Sequence, residues 1–472
     1  MKFIMLMKKK LCFIFLIHSF LSAQVNNLSC DNFNLLENIN YKCGYIDVPY
    51  DHFQKSQSTI NISFVLIDKN NSKEIPLAIL TGGPGGSAIT QSRVNYWLSS
   101  PLSDNRNVII FDQRGIGFSS PLKNINKEFF SIFRKNLNFS MEKIEVKKLL
   151  SRYVDDANDS GIDLSLYNTF QSAVDLDLIM QNLNINKYNL YGSSYGTRLG
   201  RIIQELFPER LNAVILNSPN PLDGGDMLLG RLDAYSRSLN RLFKYCENNS
   251  ECSSSYPELE NQYLETINKL IDNPLELNIN NNPYYVNAEE GVYFIRRLLY
   301  RNSALNDVPV LIDELGGNGN RFITNLINNE FRDSYNYAMW FAVERYEMFN
   351  KNISEEDINE IYKEYDIFPV KLGFFTSVYV NLNYFHNKTL KPNKKKLKKS
   401  NVPTLVTVNK YDPVTPPEDA YKMVQTLNNF KLYVLNEAGH GGGNQSCRNN
   451  VMDQFLVTPN ADIDVSCLDI IN

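Results

Sequence analysis

The sequence predicts an α/β fold in which a mostly parallel, twisted sheet carries helices on both faces and is interrupted by a large, mainly helical insertion. Three observations support this prediction. Short apolar runs typical of buried strands alternate with segments of helical periodicity over the first 221 residues. From residue 222 the chain is rich in helix-forming residues, tyrosine and asparagine. A strand pattern returns only near residue 402.

Five strands are predicted in the first part of the chain. They cover residues 60–67, 75–80, 107–111, 188–191 and 211–216. The first alternates apolar and polar side chains, and the others are short runs bounded by turn residues. Residues 170–183 have the spacing of a helix, and so does the segment that begins near Leu199. Strands that alternate with helices in this way indicate a mostly parallel sheet.

The last part of the chain repeats the alternation, with strands predicted at residues 404–408 and 431–435 and a helix at residues 418–427. An insertion between the two parts is expected to form a lid over the carboxyl ends of the strands, where such sheets bind ligands. The chain is therefore divided into a signal peptide (1–23), a first core part (24–221), a helical lid (222–397) and a second core part (398–472).

The first residues predict export. Three lysines at positions 8–10 precede an apolar run over residues 11–21, and small residues follow up to Ala23, where cleavage is expected. A membrane anchor is the alternative interpretation, but the run is shorter than the roughly 20 residues that a span needs. We therefore expect a periplasmic or extracellular protein without stable membrane association.

The charge of the mature chain argues against nucleic acid as a partner. Loss of residues 1–23 removes four lysines and no acidic residue, so the formal net charge changes from −4 to −8. A mildly acidic chain without a concentrated basic face is not typical of nucleic-acid binding. The basic cluster at residues 391–399 contains Pro392 and Asn393 and is interpreted as a solvated linker. The oligomeric state is left open.

The cysteines predict disulfides. Cys12 lies in the signal peptide, and the remaining six fall as three couples that are close in sequence. In an oxidising compartment we expect these couples to be bonded. The expected pairs are Cys30–Cys43, Cys246–Cys252 and Cys447–Cys467. Free buried thiols are the alternative. A metal site is disfavoured because the chain has no Cys-x-x-Cys pair and few histidines.

A candidate nucleophile stands between a predicted strand and a predicted helix. Gly192, Ser194 and Gly196 form a Gly-x-Ser-x-Gly pattern there, in which the glycines allow a tight turn that exposes the serine Oγ. Small residues also cluster in ordinary turns, so the pattern alone is weak. The positions of a base and an acid strengthen it.

Three histidines remain after loss of the signal peptide. His52 and His386 are interpreted as surface or structural residues, whereas His440 lies in a glycine-rich loop directly after the last predicted strand. Asp412 begins the loop after the strand at 404–408, although an Asp-Pro pair also starts simple turns. The order Ser194, Asp412, His440, each just past a strand, is that of the α/β-hydrolases.

An oxyanion hole needs two N–H donors. The first is expected from the backbone of Tyr195, which follows the serine. The second is expected from Gly83 in the glycine-rich loop after the strand at 75–80. A phosphate-binding loop is the alternative, but no Gly-Lys-Ser/Thr follows.

Motifs along the chain together resemble the proline iminopeptidase family of α/β-hydrolases. They are GGPGG at residues 82–86, FDQRGIGFS at 111–119 and GSSYG at 192–196. Three more are similar to the secreted tripeptidyl aminopeptidase branch of that family. These are CGYIDVPYD at residues 43–51, YDPVTP at 411–416 and GHG at 439–441. The resemblance covers nearly the whole mature chain in order, matches least well in the lid, and implies the α/β-hydrolase fold.

The resemblance also implies roles for residues. Ser194, Asp412 and His440 would be the triad, Gly83 and Tyr195 the oxyanion donors, and residues 112–114 a structural brace. In this family, lid carboxylates bind the free α-ammonium of the substrate. Glu347 is the first candidate, followed by Glu344 and Glu290. Solvated glutamates on a helix face explain each of the three equally well.

Two positions depart from the family pattern. Thr81 stands where relatives commonly have a histidine before the glycine loop, and Arg345 stands where they often have a cysteine. The first affects the support of the loop, and the second makes the assignment of Glu347 less secure.

The sequence therefore predicts an exported serine aminopeptidase that acts on short peptides and needs no metal or organic cofactor. An esterase or another amide hydrolase is the alternative, since a triad and an oxyanion hole serve any acyl transfer. A binding protein that retains a hydrolase fold is a further alternative, but no member of the triad is missing. The number of residues removed per cleavage and any preference for proline are left open.

Overall fold

A mixed sheet forms the centre of the protein. The computed structural model describes residues 24–36, 40–55, 58–69, 72–279, 281–330, 335–349 and 354–471, so the predicted signal peptide lies outside the described residues. Within them, nine strands pair in the order β1-β2-β3-β5-β4-β6-β7-β10-β11. The strands are β1 (Asn26–Leu28), β2 (Tyr41–Pro49), β3 (Thr59–Ile67), β4 (Leu77–Leu80), β5 (Val108–Phe111), β6 (Tyr188–Ser193), β7 (Leu211–Asn217), β10 (Thr404–Asn409) and β11 (Phe430–Leu435). The predicted α/β-hydrolase architecture with a mostly parallel sheet is confirmed.

The parallel strands end side by side at one edge of the sheet. The pairs from β5 and β4 through to β10 and β11 are parallel, whereas β1, β2 and β3 form an antiparallel extension at the β5 side. The last residues of neighbouring strands are in register: Ser193 pairs with Asn217, and Asn409 pairs with Leu435. The loops that follow these strands therefore start close together.

Helices cover both faces of the sheet and build the insertion. They are α1 (Gln91–Ser99), α2 (Asn126–Phe133), α3 (Phe139–Asp159), α4 (Thr169–Asn182), α5 (Tyr195–Leu206), α6 (Met227–Asn248), α7 (Ser250–Ser255), α8 (Leu259–Asp272), α9 (Ala288–Leu298), α10 (Ala304–Leu315), α11 (Arg321–Glu330), α12 (Tyr337–Glu347), α13 (Glu355–Tyr362), α14 (Gly373–Asn381), α15 (Pro392–Lys395), α16 (Pro417–Val424) and α17 (Gln445–Val457). In the described part of the chain, none of them is both long and apolar enough to cross a bilayer.

Alternating side chains of the parallel strands create two apolar layers. In β4, Ala78 and Leu80 face the layer that contains α4, α5 and α16, while Leu77 and Ile79 face the layer that contains α1 and α17. This period of two follows from the pleat, and burial of both faces explains the nearly continuous apolar sequence of the central strands.

The insertion has its own core, which it shares with α2 and α3. Aromatic rings from two of its helices, α12 and α14, pack against Phe129 of α2, among them Phe341 at 5.6 Å and Phe374 at 5.4 Å between ring centroids. It also contains a short hairpin of β8 (Leu275–Ile279) and β9 (Asn282–Val286). The sequence did not predict this hairpin, nor the contribution of α2 and α3, because no motif marks either of them.

Three disulfides close loops at the periphery. Cys30 is bonded to Cys43, Cys246 to Cys252, and Cys447 to Cys467, which are the pairs expected from the sequence. The third ties α17 to the C-terminal segment. A disulfide stabilises mainly by restricting the unfolded chain.

A buried ion pair joins the first core part to α4. The guanidinium of Arg114 donates to both carboxylate oxygens of Asp175, at 2.8 and 2.7 Å, and also to the carbonyl of Tyr50. The His52 ring lies 2.7 Å from the same carboxylate, so this histidine is a buried structural residue. Burial raises the pKa of Asp175, but Arg114 and His52 outweigh burial, and the net pKa lies below its usual value.

We expect the Asp175→Asn variant to lose about 3–5 kcal/mol of unfolding free energy at pH 7, because Arg114 is left buried without its counter-charge. A carboxyl with a lowered pKa stabilises the fold above its unfolded pKa and loses this effect as the pH falls. The difference from the wild type should therefore narrow below about pH 4. Urea unfolding of the variant and the wild type at pH 7 and below about pH 4 measures this difference in unfolding free energy. Asp156→Asn, in the exposed pair with Lys123, is the control. Equal stability of the Asp175 variant and the wild type at pH 7 would contradict the role of the pair.

Candidate active site

Ser194 occupies a strained turn between β6 and α5. Its backbone has φ 57° and ψ −126°, in the region that residues with a Cβ rarely adopt. The turn requires glycines because the segments around it touch. A Cβ on Gly192 would lie 2.5 Å from the carbonyl oxygen of Gly196, and a Cβ on Gly196 would overlap the carbonyl of Leu80. The Gly-x-Ser-x-Gly pattern is thus explained by close contacts with β4 and α5.

Hydrogen bonds fix the backbone of Ser194 on both sides. Its N–H donates to the carbonyl of Asn217 at 3.0 Å, and its carbonyl accepts from the hydroxyl of Thr197 at 2.6 Å. Tyr195 is the first residue of α5, so its N–H has no acceptor within the helix. The side chain of Ser194 is partly exposed. The turn therefore presents a hydroxyl beside an available N–H.

Asp412 and His440 are in direct contact. The Nδ1 atom of His440 lies 2.9 and 2.8 Å from the two carboxylate oxygens of Asp412. Asp412 is fully buried, and it also accepts from the N–H groups of Val414 and Thr415 and from the Thr415 hydroxyl. These bonds fix the carboxylate, and the carboxylate in turn orients the imidazole. The Nε2 side of the ring is then the side available to a reacting group.

Three side chains that the sequence analysis did not identify hold the His440 loop. The amide of Asn409 donates to the carbonyls of residues 438, 439 and 442, at 3.0–3.1 Å, and Asn217 donates to the carbonyl of Gly441 at 3.1 Å. Arg448 of α17 bonds the side-chain oxygens of both asparagines. Both asparagines end strands, which is the only signal that could have pointed to them.

The His440 loop lies against the serine turn. A Cβ on Gly441 would be 3.3 Å from the hydroxyl of Ser193, the residue before Ser194. Among the described residues, no hydrogen bond joins Ser194 Oγ to the imidazole. In free enzymes this contact is often long and tightens only in the substrate complex. The structure thus places all three residues on neighbouring loops at one edge of the sheet.

The glycine-rich loop after β4 packs directly on Ser194. A Cβ on Gly82 would lie 2.9 Å from Ser194 Cβ and 3.4 Å from its Oγ, so only glycine fits there. Gly83 follows with φ 126°, which also requires glycine. The peptide between these two glycines is therefore next to the serine hydroxyl, where the second oxyanion donor was expected.

Residues 112–113 brace this loop. The buried carboxylate of Asp112 accepts from the hydroxyl of Ser87 and from the N–H groups of Ala88, Ile89 and Phe118. Burial raises the pKa of Asp112, and these hydrogen bonds lower it only in part. Gln113 donates to the carbonyl of Thr81 at 3.2 Å.

Thr81 closes the loop itself. Its hydroxyl donates to the carbonyl of Gly86 at 3.3 Å. The insertion adds a further support, because the N–H of Asn336 donates to the carbonyl of Gly85 at 2.9 Å. The threonine that stands in place of the family's histidine thus has a local supporting role.

Glu347 is fully buried and its carboxylate is occupied. One oxygen accepts from the N–H of Thr169 at 2.7 Å, and the other lies 3.0 Å from the guanidinium of Arg198 in α5. Arg198 also donates to Asn220, whose N–H bonds the Thr197 hydroxyl. Glu347 therefore links α12 of the insertion to the helix that follows Ser194.

The other two glutamates have different surroundings. Glu290 accepts from the N–H of Asn287 and from the Tyr284 hydroxyl, and so caps α9. Glu344 lies 3.6 Å from the guanidinium of Arg231, longer than a hydrogen bond, and its side chain is 3% exposed. Of the three, Glu344 has the least committed carboxylate.

The remaining histidine is remote from this chemistry. His386 is buried in the insertion with its Nε2 3.1 Å from the carbonyl of Ala342, and burial lowers its pKa to about 4. Within the described ranges, no group of three or more histidine, cysteine, aspartate or glutamate side chains could hold a metal ion.

Comparison with known families agrees with this geometry. Residues 75–442 match the model of the alpha/beta hydrolase fold, which spans most of the chain and includes all three candidate loops. The chain belongs to the alpha/beta hydrolase fold family.

The family members with similar sequences include peptidases. A tripeptidyl aminopeptidase of Streptomyces coelicolor is 24% identical over 90% of this chain and 83% of its own length. A putative hydrolase, YuaR, of Escherichia coli is 22% identical over 90% and 87% of the two chains. The serine protease Hip1 of Mycobacterium tuberculosis is 28% identical, but over 44% of this chain and 42% of its own.

The contact between Gly82 and Ser194 yields a test. In the Gly82→Ala variant the new methyl displaces the serine side chain, and a misplacement of about 1 Å at a reacting group costs about 10²-fold in rate. We expect the rate of labelling by a fluorophosphonate to fall by about this factor while the protein stays folded. Gly230→Ala in α6, where a Cβ meets only the carbonyl of Gly224 at 3.7 Å, should label like the wild type. Unchanged labelling of the Gly82 variant would show that this contact does not set the position of the Ser194 hydroxyl.

Proposed function

We propose that this serine hydrolase is an exported aminopeptidase that cleaves short peptides near their free amino terminus through an acyl-enzyme on Ser194. The observation that carries the proposal is the contact of Asp412 with His440, whose loop packs against the strained Ser194 turn. A nucleophile, a base and an orienting acid on adjacent loops are what acyl transfer requires.

Acylation begins with the transfer of a proton from Ser194 to His440. His440 accepts the proton of Ser194 Oγ through Nε2, while its Nδ1–H donates to Asp412 and keeps the ring in the required tautomer. The serine oxygen attacks the carbonyl carbon of the scissile peptide. The protonated imidazole then gives its proton to the departing amine, and the peptide bond breaks.

The oxyanion of the intermediate is stabilised by backbone donors. The N–H of Tyr195, at the start of α5, and that of Gly83, in the loop on Ser194, are the proposed pair. Such donors contribute about 10²–10³-fold each because they are in place before the charge develops. Water activated by His440 then hydrolyses the acyl-enzyme, so no cofactor is needed.

Specificity for a free amino terminus needs a carboxylate at a fixed distance from the serine. Glu347 and Glu290 are held by their own hydrogen bonds, which leaves Glu344 as the proposed contact for the α-ammonium. The names of the Streptomyces and Mycobacterium relatives support peptide substrates. The three disulfides and the predicted signal peptide support export.

We expect the Ser194→Ala variant to lose turnover of amino-terminal peptide p-nitroanilides by about 10⁴-fold or more, because no other group can form the acyl-enzyme. The fold should be retained, as judged by circular dichroism and thermal unfolding. Ser99→Ala, at an exposed serine of α1, is the control and should keep full activity. Substantial activity of the Ser194 variant would contradict the assignment.

A blocked amino terminus separates a peptidase from an esterase. If Glu344 binds the α-ammonium, acetylation of the substrate should lower kcat/KM by about tenfold or more, as expected for loss of a charge-assisted hydrogen bond. Glu344→Gln should reduce this discrimination by raising KM for the free peptide. An enzyme that hydrolyses acetylated peptides or simple p-nitrophenyl esters equally well would favour the esterase alternative.

A further inference from the structure

The insertion places two tyrosines on either side of the proposed reaction centre. The carbonyl of Tyr300 accepts from the N–H of His440 at 3.0 Å, and its ring meets the imidazole edge-on with 5.4 Å between centroids. On the other side, a Cβ on Gly83 would lie 3.2 Å from the ring of Tyr335. Side chains that lie between the two tyrosines are therefore close to the proposed reaction centre.

Arg296 lies one helical turn before Tyr300 and has no counter-charge in hydrogen-bonding contact. Its guanidinium stands over the ring of Tyr300 at 5.5 Å and over that of Phe375 at 4.7 Å. The residue is fully buried, and none of its three guanidinium nitrogens has a hydrogen-bond partner among the described residues. Contacts with aromatic faces offset part of the free energy that burial of an ion costs.

Arg231 of α6 shares an aromatic surface with Arg296. Its guanidinium lies 5.3 Å from the centroid of Phe375 and 5.0 Å from that of Trp340. Burial lowers the pKa of Arg231, Glu344 offsets this in part, and the positive charge of Arg296 lowers it further. The Arg231 side chain is 16% exposed, so it is the more accessible of the two arginines.

The two glutamates of α12 interact with arginines other than Arg296. Glu347 is bound to Arg198, and Glu344 interacts with both Arg198 and Arg231. Among the described residues, Arg296 therefore has no carboxylate in hydrogen-bonding contact. If Glu344 also binds the substrate ammonium, it balances the charge of Arg231 less well.

We propose that Arg231 and Arg296 form a subsite for a carboxylate group of the substrate. Arg231 binds the carboxylate, since a guanidinium can donate two parallel hydrogen bonds to it. Arg296 stands behind it and adds positive potential in a setting with little water. The carboxylate belongs either to the carboxy terminus of a short peptide or to an aspartate or glutamate side chain. This inference rests on the proposed peptidase function.

Matched substrates test the subsite and identify the source of the carboxylate. The first comparison is between tetra-alanine and its carboxy-terminal amide. The second is between tripeptide p-nitroanilides that carry glutamate or glutamine at each position in turn. We expect kcat/KM to favour the substrate with the carboxylate by about tenfold or more in one of the two comparisons. The comparison that shows the preference identifies the source of the carboxylate.

Variants connect this preference to the arginines. Arg231→Gln should abolish this preference, because it lowers kcat/KM for the carboxylate member more than for the neutral member, and Arg231→Lys should retain part of it. Arg296→Met should weaken it. If this variant does not fold, the Arg231 variants decide the question. Arg237→Gln, at an exposed position on the same helix, is the control and should keep the full preference. No preference in the wild type, or an undiminished preference in Arg231→Gln, overturns the proposal.

A second substrate class keeps this test separate from the proposed function. If no peptide is hydrolysed but fluorophosphonate labelling is normal, the peptidase proposal fails while the subsite can still be tested. Mono-4-nitrophenyl glutarate and 4-nitrophenyl pentanoate then form the pair. A preference for the glutarate ester that is lost in Arg231→Gln supports the subsite, and equal rates for the two esters overturn it.

Discussion

The close approach of β4, β6 and α5 around Ser194 is the constraint on which the site depends. Gly192, Gly196 and Gly82 bring backbone segments within contact distance of one another and of the serine. Close contacts with these segments hold the backbone of Ser194 at φ 57°, a strained conformation. This strain exposes the hydroxyl and places the Tyr195 N–H and the glycine loop beside it. The remaining parts of the site are arranged around this proposed nucleophile, whose position is set by backbone contacts.

The imidazole of His440 is positioned by side-chain hydrogen bonds rather than by close backbone contacts. Asn409 and Asn217 hold a glycine-rich loop through hydrogen bonds to its carbonyls, and Arg448 fixes both asparagines by bonding their side-chain oxygens. Asp412 bonds the imidazole itself. Such a loop has little conformational preference of its own, so its shape is determined by these side chains. Cys447 lies next to Arg448, and its disulfide to Cys467 restrains the same helix. The two halves of the proposed proton-transfer system are thus built separately and meet at the edge of the sheet.

The sequence predicts the parallel core well because its signals are local. Apolar strand runs, glycine turns and cysteine spacing led to the fold class, the disulfide pairs and seven strands of the main sheet (β3 to β7, β10 and β11). The sequence did not reveal the antiparallel strands β1 and β2, the helices α1, α2, α3 and α17, or the hairpin. Their pairing and packing depend on distant segments. The asparagines of the His440 loop were missed for the same reason, since a polar residue at a strand end has many ordinary roles. Glu347 shows the limit most clearly: its partner, Arg198, is 149 residues away in sequence.

The insertion contains the charged side chains of the proposed subsites, Arg231, Arg296 and Glu344. It is tied to α5 through Glu347. The measurement that tests the central claim most directly is the site of covalent labelling. The protein is treated with a fluorophosphonate, digested, and mapped by mass spectrometry. The account predicts a single adduct on the peptide that contains Ser194, and fragment ions should place it on that residue. An adduct on another residue, or none on the folded protein, would contradict it.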